Sequence, residues 1–175
     1  MLYCKPIIIP YDPILDTKII TNIQRQHVKF TVSQLNPKFI EYLKSLNIHI
    51  SFVEVFYIKP NTTTDIHLDA SPGDITKINY IYGGENSQMI WYVPNNSNCG
   101  EKKITCINSS YVSFTENEVT PIYADNLNSP SIVQVGIPHN IINGNQIRHC
   151  LSMVITENYK RITMARAIEL FSSIN

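Results

Sequence analysis

Two side chains that bind metals, His67 and Asp69, stand one residue apart in the stretch TDIHLDASPG, residues 64–73. Residues i and i+2 of a strand point to the same side, so an imidazole and a carboxylate would converge on one point. That pair suits a hard-to-borderline divalent cation. Alone, however, a His-x-Asp triplet is equally the capped edge of a turn, so a third ligand is needed. His139, in GIPHNII, is the best candidate, near the end of a strand-like run. Two histidines and one carboxylate on one face leave open the positions that a non-haem Fe(II) centre uses.

A fixed cation follows. Arg148 comes nine residues after His139, across the turn signal NGNQ. If the flanking segments form a hairpin, Arg148 lies on the strand beside His139. Alternation then puts Arg148, Cys150 and Ser152 on one face and Leu151, Met153 and Ile155 on the other. The polar face would point into a barrel and the apolar face would take a helix. A guanidinium inside a barrel needs a carboxylate partner, because an unpaired buried charge is very costly. An internal Asp or Glu could serve, or the carboxylate of a ligand, which the planar fork of Arg suits bidentately. Lys77 and Asn79 share one face of another strand and are weaker candidates for the same ligand. His149 should point away from Arg148, and His27 and His49 read as structural or solvated. Trp91, Tyr80, Tyr82 and Tyr92 could line a substrate mouth, but strand aromatics are more often core.

HLD (67–69), PHN (138–140) and the Arg of QIRHCLS (146–152) resemble the HxD…H…R signature of the Fe(II)/2-oxoglutarate-dependent oxygenases. GIPHNIING…RHCLS also resembles small, phage-like and marine bacterial members of that superfamily, and the resemblance covers roughly two-thirds of the chain. It implies a mainly β fold, a double-stranded β-helix or jelly-roll barrel of eight core strands with supporting helices. By the same resemblance His67, Asp69 and His139 bind Fe(II). Arg148 would pair with the distal carboxylate of 2-oxoglutarate, with Asn79, Lys77 and Ser152 as further cosubstrate contacts. An Arg-x-Ser version of the motif would place serine where Cys150 stands, whereas Ser152 lies four residues past Arg148. The implied reaction is decarboxylation of 2-oxoglutarate to succinate, coupled to hydroxylation of a C–H bond. Two other functions fit the same barrel: a cupin-type metalloenzyme that uses no keto acid, and a jelly-roll binding module without catalysis.

The elements that must position these residues follow from pattern. SQLNPKFIEYLKSLNI predicts a helix, capped by Asn36 with Pro37 in its first turn. A short helix is expected over 17–26 and a closing helix over 160–174, while Pro6, Pro10 and Pro13 make the first 30 residues irregular. Strands are expected at 49–60, around DIHLD, at 77–84, 87–94, 131–142 and 146–156, with weaker ones at 99–107, 110–115 and 120–124. Gly83-Gly84 reads as a hairpin between two of them. A core from about 49 to 156 in one domain of 175 residues is the result.

Composition narrows the rest. Fourteen basic residues balance fourteen acidic ones, and no run of Lys or Arg occurs. A strong electrostatic claim on nucleic acid or an anionic membrane is not expected. No apolar run approaches a membrane span, and MLYCKPIIIPYDP lacks the pattern of a signal peptide. Cys4, Cys99, Cys106 and Cys150 contain no CxxC and are not a disulfide framework. They read as reduced thiols in a cytoplasmic protein rather than as zinc ligands. The expected partner is a small-molecule or peptidyl substrate, and short loops leave room for a homodimer to complete the site.

Overall fold

Alternating β-branched and aromatic residues build most of this chain into strands. The structure, a computed structural model, describes residues 2–69, 73, 75–97, 100–127 and 129–172. In chain order the elements are β1 (Cys4–Pro6), α1 (Lys18–Thr21), β2 (His27–Phe30), α2 (Pro37–Ser45), β3 (His49–Ile58), β4 (Ile66–Asp69), β5 (Thr76–Gly83) and β6 (Gln88–Pro94). They continue with β7 (Glu101–Ile104), β8 (Ser110–Phe114), β9 (Val119–Asp125), β10 (Ser131–Gln134), β11 (His139–Ile142), β12 (Arg148–Glu157), β13 (Lys160–Arg161) and α3 (Met164–Ser172). The Asn36 side chain accepts from the Lys38 amide and Pro37 opens α2, as its sequence predicts.

The strands form two antiparallel sheets. One runs β1-β10-β5-β12-β3-β2, with β13 added to the end of β12; the other runs β7-β8-β4-β11-β6-β9. Chain neighbours from β3 to β6 and from β9 to β12 alternate between the sheets, and β6 pairs with β9 where the two runs meet. That winding is a double-stranded β-helix, the mainly β jelly-roll the sequence implies. The β7–β8 hairpin is an insertion that widens the second sheet beside β4.

Alternation corrects three expectations. Gly83-Gly84 does not close a hairpin, because β5 and β6 lie in different sheets. NGNQ likewise carries the chain from β11 in one sheet to β12 in the other, so Arg148 is not on a strand beside His139. The run 131–142 is two strands, and the segment between them crosses at Gly136, where a Cβ would meet the Gly73 carbonyl oxygen at 2.0 Å. Two differences concern the N-terminal region. The helix expected over 17–26 spans only Lys18–Thr21, and residues expected to be irregular form β1 and β2. Both strands are recruited by sheet edges, which short local patterns do not announce.

The faces separate as β12 predicts. Leu151, Met153 and Ile155 join Val53, Val55, Ile78 and Tyr80 on the outer face of the first sheet. There they pack under Phe39 and Leu43 of α2 and Ala167, Leu170 and Phe171 of α3. Trp91 and Met89 meet Val133 and Cys4 between the sheets. A third cluster, around Leu68 and Phe114, covers the outer face of the second sheet.

Candidate metal centre

β4 brings His67 and Asp69 to its inner face, and β11 sets His139 directly opposite His67 in an antiparallel pair. One ligand atom from each of the three lies within 4.8 Å of the others. The two imidazole centroids are 4.6 Å apart. Each ring is oriented from behind. His67 Nδ1 donates to the Asp65 carbonyl at 2.9 Å and His139 Nδ1 donates to the Ile137 carbonyl at 2.9 Å. Both rings therefore keep a lone pair on Nε2, the nitrogen left for a metal. The donor set fits a divalent cation, and the group can hold one.

Asp69 is shared unequally. Its Oδ2 lies 2.7 Å from Lys77 Nζ, while Oδ1 lies 3.6 Å from His67 Nε2. Lys77 also donates to Glu54 Oε1, and Glu54 Oε2 lies 2.8 Å from His27 Nε2. A continuous chain thus runs from Asp69 through Lys77 and Glu54 to His27, joining the two sheets. Burial alone would raise the Asp69 carboxyl, but Lys77, His139 and His67 hold it well below the usual carboxylate range. Burial opposes the Lys77 charge, yet Asp69 and Glu54 keep the ammonium protonated above its ordinary value. Burial likewise opposes the Glu54 charge, and Lys77 with His27 outweighs it, so its pKa is lowered. Burial, with His67 beside it, holds the His139 imidazole down at about 4. His139 is therefore a neutral ligand near pH 7, as a metal requires.

Arg148 enters the same interior on β12. It is 2% exposed, and its Nε donates to Ser87 Oγ at 3.2 Å. The buried Cys150 thiol, which stands at the Arg-x-Ser position, follows it on the same inner face of β12. Among the described residues no carboxylate pairs with this guanidinium. Burial pushes it below its ordinary pKa. Gly84 makes the close approach possible: at φ +69 it lies flat on the Arg148 stem, where a Cβ would come within 2.5 Å of Cγ. Along the inner face Cys150 feels Arg148 as well as Lys77, Glu54 and Asp69. The thiol thus sits between the guanidinium and the metal group.

The remaining candidates take distinct places. Asn79 and Ser152 are directly opposite on β5 and β12, both buried, and the Asn79 Oδ1 has no hydrogen-bond partner among the described residues. Lys77 is committed to two carboxylates and so bears on the metal group through Asp69. His149 points away from Arg148, as its position predicts, and bonds the Ile23 carbonyl at 2.8 Å. Cys4, Cys106 and Cys150 are free thiols, and Cys99 lies outside the described residues. Sequence reasoning missed Glu54, Tyr111 and the part played by His27. Glu54 had a signal: it is the one acidic residue in the apolar strand HISFVEVFYI. Tyr111, edge-on to His67 at 6.0 Å, comes from the inserted hairpin and had none.

Neither a family model nor a curated protein matches the sequence. Among solved structures the chain is similar to vicilin from Capsicum annuum, with 13% identity and a TM-score of 0.36 over 79% of this chain and 30% of that one. A 2OG-Fe(II) oxygenase family oxidoreductase from Burkholderia pseudomallei matches with 10% identity and a TM-score of 0.39, over 74% of this chain and 56% of its own. Oxalate decarboxylase from Bacillus subtilis matches at 9% identity and a TM-score of 0.32, over 67% of this chain and 27% of that one. This chain therefore spans between about a quarter and just over half of the length of these structures. Among its described helices none is long and apolar enough to cross a membrane.

Proposed function

We propose that this protein is an Fe(II)- and 2-oxoglutarate-dependent oxygenase that hydroxylates a C–H bond of a small-molecule or peptidyl substrate. The observation that carries the reading is Arg148. It is a buried guanidinium, in the interior between the two sheets that also receives His67, Asp69 and His139, with no carboxylate partner among the described residues. A buried cation without a counter-charge is costly unless a ligand supplies one.

The charges favour a dianion. Asp69 and Glu54 offset Lys77 and Arg148, and His139 is neutral, so a divalent metal would leave two positive charges uncompensated. A keto diacid restores neutrality in a space where net charge is expensive. His67, His139 and Asp69 hold the metal, and Lys77 keeps the second oxygen of Asp69 away from it. Arg148 takes the distal carboxylate, and the free Oδ1 of Asn79 can accept from a bound water. When bound, the iron supplies dioxygen activation coupled to decarboxylation of the keto acid. The protein orients the reactants and, through Trp91 and the Met89–Val133 cluster, keeps one side of the site dry.

Anaerobic titration with Fe(II) and then 2-oxoglutarate tests this. The expected result is a weak visible charge-transfer band; no metal binding and no band would sink the reading. Arg148→Met should weaken 2-oxoglutarate binding by at least tenfold, since truncating one partner of a buried charge pair costs roughly 2–5 kcal/mol. Iron binding should hardly change. Turnover by Arg148→Met without added keto acid would favour a cupin-type metalloenzyme instead.

A further inference from the structure

Three aromatic rings lie in mutual contact beside the metal group, starting across from His139. Trp91 is fully buried and directly opposite His139 in the β6–β11 pair. Cross-strand partners of this kind hold their Cβ atoms about 4.5–5.5 Å apart. The Trp91 ring lies 5.9 Å from Tyr3 and 5.7 Å from Tyr123, and those two stack at 5.3 Å. Tyr123 is 38% exposed on β9, one edge strand of its sheet. Its hydroxyl donates to Asp125 Oδ2 at 2.7 Å, and the Cys4 thiol donates to the same oxygen at 3.4 Å. The inner end has no such acceptor: Trp91 Nε1–H donates to the Gln134 carbonyl, a poor base.

We propose that Trp91, Tyr3 and Tyr123 form an electron relay that discharges the oxidised metal centre to the protein surface when no substrate is bound. The proposal rests on the reading of the centre as an iron site that activates oxygen. Trp91 gives one electron to the centre and keeps its indole proton. Tyr123 then refills Trp91, directly or through Tyr3, and its phenolic proton passes to Asp125 Oδ2. The net result is one electron delivered inward, one proton on Asp125 and a neutral tyrosyl radical at the surface. A small thiol or ascorbate-type donor in solution restores the phenol by giving one electron and one proton. An aromatic cluster that served packing alone would need neither an exposed ring nor a carboxylate on that ring's hydroxyl. Here the buried end faces a metal ligand and the exposed end carries the base.

The test uses the full chain loaded with Fe(II), without substrate, in two arms. One arm receives hydrogen peroxide; the other receives 2-oxoglutarate and dioxygen. Freeze-quench EPR reads the radical, and peptide mass spectrometry locates oxidised residues. The expected result is a tyrosyl signal in both arms. Tyr123→Phe should abolish it and leave added oxygen on Trp91, and Asp125→Asn should diminish it with the fold intact by thermal melting. A signal in the peroxide arm alone supports the relay and counts against the keto acid. With iron bound, no tyrosyl signal in either arm overturns the relay, as does a signal that Tyr123→Phe leaves unchanged. Failure to bind iron removes the centre and the relay together.

Discussion

At the scale of single residues, Lys77 has the most to lose. Its ammonium separates two carboxylates, Asp69 and Glu54, that would otherwise face each other inside the barrel. Lys77→Met should cost about 3–5 kcal/mol, the usual penalty for breaking a buried pair. Urea unfolding of the metal-free protein measures it, and Lys77→Met combined with Glu54→Gln should recover part of the loss. The same cluster gives a pH dependence. The Glu54 and Asp69 pKa values are depressed by folding, so their contribution is complete above the unfolded carboxylate range. It fades as pH falls below about 4, where the unfolded chain takes up protons first. Because His139 is held down at about 4 against an ordinary 6.5, the metal-free protein should begin to lose stability on acidification from about pH 6.5, and Glu54→Gln should flatten the further loss below about pH 4. The triad itself was legible because strand alternation puts residues 67 and 69 on one side. Glu54 was legible only as an acid in an apolar strand, since nothing local says that the face shared with Phe52 and Phe56 turns inward toward Lys77.

Between elements, the connections decide where Arg148 points. The β5–β6 and β11–β12 links pack against each other: Gly84 donates to the Ile147 carbonyl, and Gly144 is so close to Glu85 that a Cβ would lie 2.3 Å from its carbonyl oxygen. Asn143 Nδ2 reaches the carbonyls of Ile58, Lys59 and Gln146, tying the end of β3 to the start of β12. Gly84→Ala should force the Arg148 stem aside, weakening 2-oxoglutarate binding while Fe(II) affinity stays within error by calorimetry. The strands around these links were readable from composition, to within a residue or two at β3, β5, β6 and β12. The links were not. Gly-Gly and NGNQ announce a reversal of the chain, but a reversal can return to the same sheet or climb to the other. Only the competition of all strands for partners settles which. The Val135–Pro138 crossing was hidden for the same reason, inside a run whose β-branched residues read as one strand.

Over the whole molecule, the first sheet separates the largest apolar cluster, on its outer face, from the interior that holds the metal group. Phe39, fully buried under α2, belongs to the outer cluster and touches none of the metal-binding side chains. Phe39→Ala should destabilise the protein by about 3–5 kcal/mol, yet leave the iron affinity of the folded fraction unchanged. Thermal melting with and without Fe(II) separates the two effects, because the metal should raise the melting temperature of both proteins alike. The winding also governs how the site comes into being. Each core strand finds most of its partners far away in the chain, and the β4–β11 pair joins residues about 70 positions apart. Folds dominated by such distant pairings assemble slowly. His67 and Asp69 meet His139 only through this long-range pairing, so metal capture during refolding should fall in a late phase. A metal-sensitive signal would then serve as a clock for completion of the barrel, and a chain caught halfway would carry no reactive iron.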